Sequence, residues 1–393
     1  MMHAANNSIS DTGFDSAPAR LTIRLDHLVE NWRTMDRLSG KARASAVVKA
    51  DAYGLGIEPV GTALYAAGVR DFFVAQAAEG ARLRKVAPDA RIYVLSGIWA
   101  GMEKQHIDHD LVPVIASDEQ LAFWMTLVAD GLDHPCALNV DTGMNRLGLS
   151  VADAMQLVSD PARPAGFDPV LVMSHLACAD DPLHPMNRQQ CESFQKVALA
   201  FDTVESSLCN SAGIHLGPDF HFGMTRPGIA LYGGAVTTGG TNPMLPVVTA
   251  KARIVQIRDA ASGETVSYGA THRLTRNSRL AIAAAGYADG WHRALSGSGV
   301  SARENGTPGG YGFVAGYRVP IVGRITMDLT VFDVTDVPQK TVKTGDYIEL
   351  FGPNIAVGDA AQAAGTIGYE LLTGLGQRYH RSYTGHPVEK LAP

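Results

Sequence analysis

Residues 45–54 read SAVVKADAYG. The short apolar run Ala46–Val48 ends on a lysine, Lys49, and gives way to a helix-like stretch. The same unit recurs downstream. Further candidate strands are Phe72–Ala75, Ile92–Leu95, Val112–Ile115, Ala137–Val140, Val170–Met173, Ser207–Cys209 and Gly228–Leu231. Helical stretches such as Gly61–Ala67, Ala77–Lys85, Glu119–Ala129 and Arg188–Val204 lie between them, with short connections. Strand–helix alternation predicts βαβ units and a parallel sheet. Eight repeats between residues 19 and 245 fit a closed (β/α)8 TIM-like barrel better than the doubly wound sheet that is its alternative.

After Pro246 the pattern changes. Val247–Ile257 reads VVTAKARIVQI, with Thr249, Lys251 and Arg253 alternating against apolar neighbours, a strand with one wet face. Strands are also predicted at Arg279–Ala285, Val319–Val322, Thr330–Val334 and Tyr347–Phe351. The Gly- and Thr-rich stretch GGAVTTGGTNPM, residues 233–244, marks the boundary. The fold class is therefore α/β, with an N-terminal barrel over 19–245 and a mainly β domain over 246–393. Residues 1–18, polar and without the apolar middle of a secretion signal, read as a disordered tail.

Composition narrows the function. The 393 residues carry 33 basic and 39 acidic side chains, a net charge of −6, with 46% hydrophobic residues. That composition supports large cores and gives no basic footprint for nucleic acid. No apolar run reaches the roughly 20 residues of a membrane span. Cys136, Cys178, Cys191 and Cys209 show no repeated spacing and read as reduced, buried thiols of a cytoplasmic protein. Gly54 and Gly56 mimic the start of a dinucleotide fingerprint, but Pro59 stands where the third glycine belongs. His106 and His109 lack a metal-ligand partner set and read as a solvated helix face, so no metal is expected.

Of nine lysines, Lys49 stands out. At the C-terminal end of a barrel strand it faces the side where barrels place active sites. Partial desolvation there lowers an amine's pKa and makes it a usable nucleophile or base. The segment AVVKADAYGLG, residues 46–56, resembles the cofactor-lysine motif of alanine racemases, pyridoxal-phosphate (PLP) enzymes with a barrel and a β domain. The resemblance recurs in DTGMNRLG (141–148), MSHLACAD (173–180), CNSAG (209–213), RPGIALYG (226–233), VSYGATH (266–272), GYADGWHR (286–293), GRITMD (323–328) and GTIGYE (365–370). It spans the chain from about residue 19 onward.

The resemblance implies roles residue by residue. Lys49 would hold PLP covalently. Tyr53, Ser211, Gly228, Ile229 and Tyr369 would hold its phosphate. Arg226 would face the pyridine nitrogen, and a guanidinium there leaves that nitrogen unprotonated. Racemisation needs a base on each face of Cα; Lys49 would serve one and Tyr268 the other. The family's head-to-tail homodimer would bring Tyr268 over the partner's barrel, making a composite site. His175 would link the tyrosine to the Arg226 network. Arg146 and the backbone of Met327 would contact the substrate carboxylate, and Tyr287 would narrow the space beside its methyl. Asp180, Arg293, Arg324 and Ile367 match the access corridor. The implied reaction is L-alanine to D-alanine interconversion, supplying D-alanine for peptidoglycan. A broader amino-acid racemase acting on serine, a decarboxylase of the same fold type and a non-catalytic PLP-binding protein are the alternatives.

One position departs from the family. Many members carry, two residues before the aspartate of DTGM, a lysine that becomes carbamylated and fixes the arginine. Here Asn139 stands there and supplies no charge. An inorganic anion such as chloride, or another carboxylate, is expected beside Arg146 in its place.

Overall fold

The computed structural model describes residues 12–167, 169–236, 242–304 and 306–385. They form two compact units, one comprising residues up to Arg24 with Pro246–Thr384, the other Leu25–Leu245.

The second unit is an α/β barrel. Parallel strands Ala46–Val47, Asp71–Val74, Arg91–Val94, Leu111–Ile115, Cys136–Asp141, Pro169–Met173 and Glu205–Ser207 pair in chain order. Met224–Thr225 closes the ring by pairing in parallel with Arg43–Ala44. On its other side Gly223 N–H donates to Ser206 O at 3.0 Å and Arg226 N–H to Cys209 O at 2.9 Å. Strand residues such as Asp71–Val74 are buried on both faces, as parallel sheets covered by helices require. Helices Leu25–Ser39, Ile57–Ala66, Ala77–Arg84, Asp118–Ala129, Val151–Ser159 and Pro185–Ala200 follow strands at or near the expected places, the first of them after Ala19–Arg24. Ser117 and Ser150 cap two of them by accepting from Gln120 and Asp153 N–H.

The eighth strand is a correction. Gly228–Leu231 was expected to form it, but Ile229–Tyr232 is a 3₁₀ helix that follows the real strand. A short apolar run carries no period to separate a strand from a buried helical turn. Pro227, lacking an N–H, serves the ladder only as an acceptor, for Val47 N–H at 3.0 Å.

The first unit is built on the long strand Val248–Ala260. Val248, Ala250, Ala252 and Ile254 are buried while Lys251 is exposed, the alternation the sequence predicts. Register shifts after Ala250 and Ile254 bend this strand, so that it pairs antiparallel with Ala19–Arg24 and Tyr347–Phe351 and then with Ser278–Ala283. Ala19–Arg24 also pairs in parallel with His380–Thr384. That segment, expected at the head of the barrel, is therefore a strand of the β unit. Its alternating Leu21 and Ile23 are fully buried. Of the tail expected over 1–18, residues 1–11 lie outside the described residues; Thr12–Ser16 is a helix. The chain there is fixed by Tyr347 Oη, which donates to Ala17 O at 2.6 Å, and by the Arg20 guanidinium, 3.4 Å above the Tyr347 ring.

All four cysteines are free thiols. His106 is buried with Nδ1 3.1 Å from Met102 O, not on a solvated face as expected. Among the described residues no helix is long and apolar enough to cross a membrane, and no group of three His, Cys, Asp or Glu could hold a metal ion.

Leu21→Ala tests the placement of the first strand. It should lower the unfolding free energy by about 2–5 kcal/mol, read as a lower urea midpoint. A midpoint equal to wild type would be incompatible with a strand buried between two neighbours.

Candidate active site

Lys49 follows its strand directly and opens an unusual turn. Ala50, Asp51, Ala52 and Tyr53 all have φ between 53° and 55°, and Gly54 follows at 81°. With ψ near 50° at the first three, this is a turn of left-handed helix. Such residues cost roughly 1–2 kcal/mol each, so the turn must be held from outside. Its own bonds include Ala52 N–H to Val48 O at 2.9 Å and Gly54 N–H to Ala50 O at 2.8 Å. Asp51 Oδ1 accepts from Ile57 N–H at 3.0 Å and pairs with Arg82 at 2.9 Å. Asp51 N–H donates to Glu79 Oε1 at 3.1 Å.

The groups around Lys49 are mostly cationic. Burial lowers the lysine's pKa, and the charges of Arg146 and Arg226 lower it further; Glu79 opposes them. Arg226, 4% exposed, is held by neutral oxygens. One guanidinium nitrogen donates to Ser207 Oγ and the other to Ser174 O, with Leu208 O at 3.4 Å. Burial brings its pKa down to about 10, which leaves it charged at neutral pH. His175 is pushed down to about 3 by burial, then by Arg226, Arg146 and Lys49, so its imidazole is neutral. Gln190 Nε2 fixes the His175 carbonyl at 2.9 Å.

Arg146 sits exposed on a loop folded around Asp141. The Asp141 carboxylate accepts from Gly143, Met144 and Arg146 N–H at 2.7, 2.8 and 3.2 Å. Asn139 Nδ2 donates to Leu147 O at 2.8 Å, so the departing residue braces the same loop. Neither contact brings a negative charge to the Arg146 guanidinium.

A second cluster surrounds the 3₁₀ turn at 228–232. Ser211 Oγ accepts from Gly228 N–H at 2.8 Å and Ala230 N–H at 3.4 Å. Tyr53 stacks on Tyr232 at 4.3 Å, and Tyr232 Oη donates to Val47 O at 3.0 Å. A Cβ on Gly228 would lie 2.3 Å from Tyr53 Oη, so only glycine leaves the space between phenol and backbone open. Ser211, Gly228 and Tyr53 thus converge with hydroxyl and N–H groups, and Ile229 follows directly in the 3₁₀ turn. This cradle, the nearby lysine and the surplus of positive charge fit a phosphorylated, aldehyde-bearing cofactor.

Tyr268, Tyr287, Met327 and Tyr369 belong to the β unit. Tyr268 is 73% exposed on a turn in which Ser267, Gly269 and Ala270 have φ of 65°, 75° and 48°. Ser267 Oγ donates to Arg324 O at 2.6 Å, tying that turn to the loop of Met327. Tyr287 N–H bonds Thr326 O at 3.1 Å, so Tyr287 and Met327 share one surface. Tyr369, 41% exposed, lies on helix Gly368–Thr373, whose C-terminus meets the Tyr287 loop: a Cβ on Gly290 would lie 2.1 Å from Gly374 O.

Sequence reading missed Glu79, Ser174 and Ser207. The spacing of Gln76 and Glu79 is a capping-box signal that could have drawn attention to the first. The two serines carry no local signal, because their role is to meet Arg226 across the barrel.

The family model "Alanine racemase, N-terminal domain" matches residues 23–236, and "Alanine racemase, C-terminal domain" matches 247–383. The chain is 64% identical over 370 residues to the biosynthetic alanine racemase of Agrobacterium fabrum, spanning 94% of this chain and 95% of that one. It is 60% identical over 372 residues to the alanine racemase of Rhizobium meliloti, spanning 95% and 98%. It superposes with a TM-score of 0.86 on the crystal structure of alanine racemase from Bartonella henselae with covalently bound pyridoxal phosphate, at 36% identity and covering 94% of this chain and all of that one.

The His175 imidazole gives a pH signature. Its pKa falls from an ordinary 6.5 to about 3 on folding. Between those values the unfolded chain binds a proton that the folded one does not, so stability is lost as pH falls. His175→Asn should lose less stability than wild type across that window in urea titrations at stepped pH. Parallel curves would place the neutral imidazole in doubt.

Proposed function

The chain belongs to the alanine racemase family, and from that membership we infer its reaction: it is a PLP-dependent isomerase that interconverts L-alanine and D-alanine. Supply of D-alanine for peptidoglycan is the general role of such enzymes, and the Agrobacterium fabrum relative is a biosynthetic one. The observation that carries the reading is Lys49 at the mouth of the barrel, on a braced left-handed turn, among Arg146, His175 and Arg226.

Tyr53, Ser211, Gly228 and Ile229 would hold the cofactor phosphate, and the family resemblance assigns the Tyr369 hydroxyl to it as well. When bound, PLP supplies the electron sink that makes the Cα proton of alanine removable. Lys49 exchanges that proton on one face of Cα, and its lowered pKa raises the share of free amine at neutral pH. Tyr268 of the partner subunit exchanges it on the other. Arg226 keeps its proton at neutral pH and so would offer a positive charge, not an acid, to the cofactor's ring nitrogen. His175, uncharged, would link the Arg226 network to the phenol. Arg146 and the Met327 N–H bind the substrate carboxylate, and Tyr287 limits the side chain to one as small as methyl.

The active assembly is a homodimer with composite sites. A cytoplasmic location fits four free thiols. A chloride-sized anion beside Asn139 and Arg146 takes the place of a carbamylated lysine. Exchanging chloride for gluconate should then raise KM for alanine several-fold, with recovery on adding chloride back; an unchanged KM would remove the anion from the account.

The two-base arrangement is tested by Cα deuterium exchange. Lys49→Ala and Tyr268→Phe should lose exchange from opposite enantiomers, with the PLP absorbance band tracked for occupancy. Each variant alone should be nearly inactive. Mixing the two at equal amounts and allowing subunits to exchange should restore about a quarter of wild-type activity, because one site in each mixed dimer regains both bases. No recovery in verified mixed dimers would refute the composite site.

A further inference from the structure

Glu79 caps the start of helix Ala77–Arg84 in the ordinary way: Oε2 accepts from Ala75 N–H at 2.8 Å and Gln76 N–H at 3.2 Å. An ordinary capping glutamate leaves its second oxygen to solvent. Here Oε1 reaches across to the neighbouring βα connection and accepts the N–H of Asp51, at 3.1 Å. Asp51 is the second residue of the left-handed turn, two positions from Lys49. The carboxylate is also the negative charge that acts on Lys49 against Arg146 and Arg226.

We propose that Glu79 is a positioning residue for Lys49: its carboxylate ties the left-handed turn to helix Ala77–Arg84 of the next βα unit and sets one negative charge against the cations around the amine. The first part follows from donor counting. Three N–H groups from two segments converge on one carboxylate, and all three are satisfied only if both oxygens are acceptors. In Glu79→Gln one oxygen becomes an NH2 donor, so one of the two segments meets a donor instead of an acceptor. The second part follows from location. Lys49 lies among cations, and Glu79 supplies the opposing charge. Asp51, Arg82 and Glu58 brace the turn from another side, with Arg82 Nε donating to Glu58 at 2.6 Å, so the turn is not left unsupported when Glu79 changes.

The inference rests on Lys49 being the reactive lysine, and the experiment separates the two. In cofactor-free protein, the rate at which an amine-selective acylating reagent modifies Lys49 is followed against pH by mass spectrometry. Glu79→Gln should move the midpoint to lower pH, because the charge that favoured the ammonium form is gone. In the holoenzyme the same variant should lose about tenfold or more in kcat with a smaller change in KM, as a misplaced reacting group does. An unchanged midpoint overturns the proposal whatever the activity does. If circular dichroism shows Glu79→Gln unfolded, Glu79→Asp decides: it keeps the charge and shortens the arm, so the midpoint should stay and kcat should fall. A wild-type kcat in Glu79→Asp overturns the proposal. Absence of alanine racemisation by wild-type holoenzyme would sink the functional reading and leave the lysine titration standing.

Discussion

Arg226 carries a full charge into the barrel with neutral oxygens for company. Its donors meet Ser207 Oγ and the carbonyls of Ser174 and Leu208, which lie at the ends of two neighbouring strands. An ion placed this way costs several kcal/mol in desolvation, and no carboxylate among its described partners returns that cost. The barrel supplies the geometry that makes it tolerable, because parallel strands in register present carbonyls at one end. The charge then governs its neighbours. It helps hold His175 neutral and depresses the Lys49 amine, so a structural necessity of the strand ends becomes the electrostatic setting of the site. Removing the charge would relieve the fold and spoil the chemistry.

The left-handed turn after Lys49 is the second expense. Four consecutive non-glycine residues at positive φ cost on the order of 4–8 kcal/mol in backbone strain. Ala50 and Ala52 keep that cost at its lower end, since a single methyl meets the following carbonyl. Hydrogen bonds accepted by the Glu79 and Asp51 carboxylates and the Asp51–Arg82 pair hold the turn closed. Strain of this kind survives only where surroundings over-determine the conformation, and it concentrates at functional sites. The same turn delivers Lys49 at one end and Tyr53 at the other, so the amine and the cradle at Gly228 are set by one short segment.

Much of this was legible in the sequence, and the failures have physical reasons. Alternating short strands and helices pointed to the barrel, and the motifs singled out Lys49, Arg146, His175, Ser211 and Arg226, whose roles are those proposed above. The eighth strand was misplaced because GIALY is apolar without a period, and nothing local separates a buried strand from a 3₁₀ turn. Ala19–Arg24 was assigned to the barrel by proximity in sequence, whereas its partners lie some 230 and 360 residues away, at Val248–Ala252 and His380–Thr384. Pairing at that separation leaves no local signature. Glu79 was visible as a capping residue, but its second oxygen acts on another βα unit, which only the closed barrel brings near.

The two bases proposed for racemisation are prepared by opposite means. Lys49 is tuned from within its own unit by burial and by three charged side chains. Tyr268 is presented by its backbone: it lies on a turn shaped by the torsions at Ser267, Gly269 and Ala270 and by the Ser267–Arg324 bond, and 73% of it is exposed. A phenol in open solvent shares its oxygen with water and has no reason to exchange protons with one carbon over any other. A proton donor and acceptor of that kind needs a surface that excludes water from it. The cradle at Gly228 differs: Tyr53, Ser211 and Ile229 are already buried, and Ser211 Oγ, accepting two backbone N–H groups, keeps its own O–H to donate. In the composite site proposed above, the cover for Tyr268 is a second copy of the chain, so assembly is the step that would make the phenol a base.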